Sequence, residues 1–81
     1  MIFVHILKCN NGFYYTGITS NIKRRLLEHN SGIKTSIQKS RRPVLLVHSE
    51  KFKNRIEAAK REKEIKSWSR KKKENLINSL H

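Results

Sequence analysis

Apolar residues follow one rhythm at the start of the chain and another later on. Residues 2 to 9 are β-rich, with Phe3, His5 and Leu7 alternating; Asn10-Asn11-Gly12 is a turn signal, and Phe13 to Ile18 is β-rich again. That pattern predicts a β-hairpin. From Asn21 to His29 the spacing of Ile22, Leu26 and Leu27 becomes helical, with Thr19 or Ser20 available as a cap and Asn30-Ser31-Gly32 as a stop. Residues 33 to 42 are polar and basic without period, and Pro43 bars the helical conformation at Arg42. They read as a mobile loop leading into a strand from Val44 to His48 or a little beyond. Asn54 and Glu57 have the spacing of a capping box for a second helix through about Ser67. Ser69 can cap a third, whose stripe is Lys73, Leu76, Ile77 and Leu80. The order of elements predicts an α+β fold, a small three-stranded sheet with helices packed on it, as a single domain over residues 1–81.

Three side chains break the amphipathic pattern. On the first helix Arg25 and His29 fall on the same arc as Ile22 and Leu26, where a helix meant only to pack would carry apolar groups. On the second, Glu62 lies near the middle of the arc defined by Ile56, Ala58, Ala59 and Ile65. A carboxylate there costs free energy unless a cation or an arginine compensates it, so a divalent metal and a structural ion pair are both open readings. Glu57 and Glu64 read as solvated partners of nearby lysines. Tyr14 and Tyr15 must face opposite ways in a strand, and Tyr14 is assigned to packing. Trp68 reads as a core or helix-junction residue, with stacking on an unpaired base as the alternative; His48 and His81 carry no assigned role.

Charge narrows the partners. Nineteen Lys and Arg against six Asp and Glu give a net charge of +13 over 81 residues, which makes a polyanion, first of all nucleic acid, the natural partner. A domain of this size buries only roughly 60% of the surface its unfolded chain exposes, leaving room for one core and one site. The single cysteine, Cys9, excludes a disulfide framework and a Cys-rich zinc site, and it reads as a small apolar filler at a strand end. The apolar start from Ile2 to Leu7 is too short and too polar for a signal or a membrane span, so a cytoplasmic protein is expected; it is also expected to be a monomer.

Together these residues carry a resemblance. Phe3-Val4-His5, Tyr15-Thr16-Gly17, the Arg24 to His29 run, and Glu62 within Lys60-Arg61-Glu62-Lys63-Glu64-Ile65 stand in the order of the GIY-YIG nuclease motifs. The Ser31-Gly32 turn, Arg41-Arg42-Pro43 and the basic run from Ser69 to Glu74 are similar to the compact stand-alone bacterial members. One departure is plain: His5 stands where the family has its first-motif tyrosine.

The resemblance implies a metal-dependent DNA endonuclease of low sequence specificity, with a role in repair or recombination. Glu62 would hold a single Mg²⁺ or Mn²⁺. The planar fork of Arg25 would suit the non-bridging oxygens of the scissile phosphate, and His29 and Tyr15 would handle protons. The family's proposed base is a motif tyrosine, a role that falls here to Tyr15, with His5 as its partner or as the base itself. An unperturbed imidazole in that role titrates at roughly 6 to 7. Arg24, Lys34, Lys39, Arg41 and Arg42 would grip the nucleic-acid backbone without reading bases. The alternative, argued from His5, is a nucleic-acid-binding domain of the same fold with weak or no cleavage.

Overall fold

The computed structural model describes residues 1–79; Leu80, expected in the third helix's stripe, and His81 lie outside the described residues. Strand β1 (Ile2–Cys9) pairs antiparallel with β2 (Tyr14–Thr19) on one side and with β3 (Val44–Phe52) on the other, giving the sheet order β2-β1-β3. The helices are α1 (Ile22–Ser31), α2 (Arg55–Lys66) and α3 (Arg70–Asn78), with a short 3-10 turn at Lys39–Arg41. This is the predicted α+β architecture. No helix among the described residues is long and apolar enough to cross a membrane.

Strand alternation divides the interior in two. Val4 and Ile6 point to one face and pack with Ala58 and Ile65 of α2, joined at the margin by Tyr14, Val47, Trp68, Leu76 and Ile77. Leu7 and Cys9 point to the other face and pack with Val44 and Ile37, flanked by Tyr15 and by Leu26 of α1. β1 is therefore enclosed above and below, and Val4, His5, Ile6 and Leu7 are each at most 2% exposed.

Local chemistry sets the ends of the helices and corrects several expectations. Asn21, not Thr19 or Ser20, caps α1: its carboxamide accepts the Arg24 N–H at 3.0 Å, while Thr19 is the last residue of β2. Gly32 ends α1 with φ 84°, a left-handed conformation that glycine adopts without strain. Asn54 caps α2 by accepting the Glu57 N–H at 2.9 Å, and Ser69 caps α3 by accepting the Lys72 N–H. β3 starts at Val44 as expected and runs beyond His48 to Phe52, and a bulge opposite Ile6 and Leu7 changes its register. Ile56, expected on the packed arc of α2, is 72% exposed, so only Ala58 and Ile65 of that arc are fully buried. Glu64 pairs with Arg61 and not with a lysine.

Residues 33–42, read as a mobile loop, are instead anchored. Ile37 is buried in the second core, and Arg42 donates from Nε and Nη2 to the Ile37 carbonyl. Ile33 and Ile37 are the only apolar residues of this basic stretch, too few to set a period that would mark Ile37 as buried. Asn30 then ties α1 to the sheet: its carboxamide accepts the Val44 N–H at 2.7 Å and donates to the Val44 carbonyl at 3.2 Å.

Removing both bonds by Asn30→Ala should lower stability by about 1–3 kcal/mol, a fall of roughly 5–15 °C in melting temperature for a domain of this size. Thermal unfolding followed by circular dichroism measures it, and an unchanged midpoint would show that Asn30 is not a tie.

Candidate active site

The site is built from the second face of the sheet. His5 on β1 lies opposite Gly17 on β2, and Leu7 opposite Tyr15, so His5, Tyr15 and Gly17 share one surface. α1 covers that surface and brings His29 onto it. The Tyr15 and His29 rings meet edge to face with centroids 5.1 Å apart, and His5 lies 6.4 Å from Tyr15 and 6.5 Å from His29. Gly17 makes this packing possible: a Cβ there would sit 3.2 Å from His5 and 3.2 Å from Tyr15. A side chain there would require one of the two rings to give by a few tenths of an ångström.

Burial assigns different parts to these groups. His29 is fully buried and His5 is 2% exposed, whereas Tyr15 and Arg25 are half-buried. Of the inward-facing set, Tyr15 and Arg25 reach solvent and the two imidazoles stand behind them. His29 Nδ1 is 2.5 Å from the Thr35 hydroxyl, which also accepts the Ile37 N–H at 3.0 Å. His29 Nε2 and both ring nitrogens of His5 are buried with no hydrogen-bond partner among the described residues. Thr35 is a site residue that the sequence did not reveal, because nothing in the spacing from His29 marks it.

Electrostatics keep the histidines neutral. Burial, followed by the neighbouring His29 and Arg25 charges, brings the His5 imidazole down to about 4. Burial and then Arg25 also lower His29, against an opposing pull from Glu28. His5 is therefore neutral throughout the neutral range, and the expected titration near 6 to 7 does not belong to it. Arg25 donates from Nη1 to the Lys34 carbonyl at 2.7 Å and to Glu28 at 3.2 Å. The Nε and Nη2 groups carry no bond among the described residues, so one edge of the fork remains for an anion.

The remaining candidates are placed apart from this cluster. Glu62 sits on α2, which packs on the opposite face of the sheet; its side chain is 21% exposed and pairs with Lys66 at 3.3 Å. It is not among the charges that shift either histidine. Among the described residues no three His, Cys, Asp or Glu side chains group as a metal cage. Arg24, Lys34 and Lys39 are exposed. Arg41 lies over the Phe13 ring at 4.9 Å, and Arg42 is occupied with Ile37, so both are partly engaged in holding the segment together. His48, given no role by the sequence, is buried and bonds Glu50 at 2.8 Å; Arg61 binds the same carboxylate and holds it below the usual range.

A base whose folded-state pKa is depressed supports stability above its unfolded pKa, and that support is lost as the pH falls toward the folded value. For His5 the window is from about 6.5 down to about 4. Acid titration of stability should show a loss on the order of 3 kcal/mol in this window, and His5→Phe should remove much of it. Equal slopes in the two proteins would show that His5 is not the titrating group.

Comparison with known proteins gives the family of the chain. The family model of the GIY-YIG catalytic domain matches residues 1–75. A UPF0213 protein of Listeria welshimeri is 47% identical over 75 residues, 93% of this chain and 83% of the relative. One from Desulfotalea psychrophila is 49% identical over 78 residues, 95% of this chain and 71% of the relative. Among solved structures, the NMR structure of a UPF0213 protein from Bacillus halodurans has a TM-score of 0.62 at 41% identity, covering 99% of this chain and 85% of that one. The NMR structure of a protein from E. faecalis has a TM-score of 0.66 at 41% identity, covering 98% and 84%. The family match runs from β1 into α3 and takes in Tyr15, Arg25, His29 and Glu62, and the chain belongs to the GIY-YIG nuclease family through its UPF0213 relatives.

Proposed function

We propose that this protein is a metal-dependent DNA endonuclease of low sequence specificity, acting in repair or recombination. The observation that carries the reading is the packed trio of His5, Tyr15 and His29, with Arg25 beside it on a chain of net charge +13. Hydrolysis of a phosphodiester needs a deprotonated water, neutralisation of charge developing on the phosphate and a proton for the leaving oxygen. Tyr15, the ring that reaches solvent, orients the water. Arg25 meets the non-bridging oxygens with the free edge of its guanidinium. Neutral His29, fixed through Nδ1 by Thr35, and neutral His5 stand behind Tyr15 as proton acceptors, with ring nitrogens unclaimed by the protein.

Glu62 is the residue that would hold a divalent cation. Its partner Lys66 is 56% exposed, and such a surface pair is worth at most about 1 kcal/mol, so the carboxylate can be ceded to a metal. A lone carboxylate suits Mg²⁺, which keeps most of its waters and takes phosphate oxygens from the substrate. When bound, such an ion supplies Lewis-acid stabilisation of phosphate charge. Because α2 packs against β2 and β2 is an edge strand, a phosphate in reach of both Tyr15 and Glu62 has to lie along the β2 edge. Arg24, Lys34 and Lys39 supply backbone contacts, which read no bases.

A second reading, a nucleic-acid-binding domain with little or no cleavage, draws on one observation: His5 offers no phenol and sits out of reach of solvent. Nicking of supercoiled plasmid with Mg²⁺ or Mn²⁺ separates the two. Cleavage by the wild type supports the nuclease; cleavage only after His5→Tyr supports the second reading.

Glu62→Gln should cut at least 100-fold more slowly and bind Mn²⁺ more weakly, with an unchanged circular dichroism spectrum; wild-type turnover would remove Glu62 from the site. Arg25→Lys should lose at least 10-fold in rate even where its melting temperature stays near the wild-type value, since the ammonium cannot reproduce the planar fork. Full activity in that variant would reduce Arg25 to a source of field.

A further inference from the structure

At the tip of the β1–β2 hairpin Phe13 is 55% exposed, the one aromatic ring among the exposed large apolar side chains of the described residues. It lines a cavity of about 150 Å³ together with Tyr14, Arg70 and Lys73. Two of the cations here, Arg41 and Arg70, are placed by named contacts. Arg41 lies over the Phe13 ring at 4.9 Å. Arg70 lies over the Tyr14 ring at 4.9 Å, donates to the Gly12 carbonyl at 2.7 Å and pairs with Glu74 at 3.4 Å. Glu74 in turn accepts the Tyr14 hydroxyl at 3.3 Å. The proposed cleavage site uses none of Phe13, Tyr14, Arg70 or Lys73.

An aromatic ring open to solvent and set among fixed cations is the arrangement that binds a single-stranded polynucleotide: a base stacks on the ring while its flanking phosphates meet the positive groups. A purely electrostatic duplex grip has no use for an exposed phenylalanine. We propose that Phe13, Tyr14, Arg70 and Lys73 form a subsite for an unpaired nucleobase, so that the preferred substrate is nucleic acid with a single-stranded segment, such as a flap, an overhang or an open junction. The inference rests on the proposed action upon nucleic acid and adds to it the class of structure recognised. Stacking is tolerant of base identity, so the preference is for strandedness and not for sequence.

Fluorescence anisotropy with three labelled probes, a blunt duplex, the same duplex with a six-nucleotide overhang, and a single strand, tests the subsite. The full chain should bind the overhang and single-strand probes more tightly than the blunt duplex. Phe13→Ala should weaken the two probes with unpaired bases about 5- to 100-fold, the range of one lost base–aromatic stack, and leave blunt-duplex binding within about twofold. Phe13→Tyr should restore the preference. A 2-aminopurine in the overhang should be quenched by the wild type and not by Phe13→Ala. Blunt-duplex binding without any preference, or a preference untouched by Phe13→Ala, would overturn the subsite while leaving the nuclease reading standing. Failure to bind any of the three probes would overturn both.

Discussion

The double enclosure of β1 is the constraint on which the rest depends. A central strand with helices and anchored segments over both faces must alternate its side chains between two interiors. Val4 and Ile6 fill one side with aliphatic volume. On the other, His5 occupies a place where burial favours an uncharged group, and its imidazole is neutral as a result. The chemistry of the site thus follows from the topology: putting His5 in the middle of the sheet gives it both its contacts with Tyr15 and His29 and its protonation state.

The same constraint explains why so much hangs on small groups. A Cβ at Gly17 would crowd both His5 and Tyr15, and His29 beside them is held by Thr35 from the segment that Ile37 and Arg42 anchor. A third layer on the far side, α2 with Glu62, is joined to this cluster through the sheet and not by direct contact. Binding that engages both faces therefore acts across the edge strand β2, whose backbone lies between them.

Much of this was legible in the residues. The hairpin, the helical periods, the caps at Asn54 and Ser69, and the inward placement of Arg25 and His29 follow from local rules that act within a few residues. What escaped depends on contacts between distant segments. Ile37 carries no periodic signal, Thr35 becomes a partner of His29 only after residues 33–43 fold back, and the choice of Asn21 over Thr19 as cap is settled by the pairing of Thr19 with Phe3 in β2. The Glu62 arc misled in part because Ile56 looks like core on a wheel and is exposed where α2 begins. The depression of His5 was likewise out of reach, since an imidazole in an alternating strand shows nothing of the charges that surround it.

The tie between Asn30 and Val44 has a meaning for how copies of the chain behave together. β3 borders the sheet, and a bordering strand offers unpaired amide and carbonyl groups on which a foreign strand can template itself. Exposed Leu45 and Leu46 would make that surface adhesive. Here the amide and carbonyl of Val44 are already claimed by a side chain of the same molecule, Pro43 just before it has no amide to offer, and the bulge breaks the straight register that a neighbour would need. A residue at the end of a helix thereby acts as a guard against fibrous association, and a chain this basic, free of its polyanion, gains a second guard from the mutual repulsion of its copies.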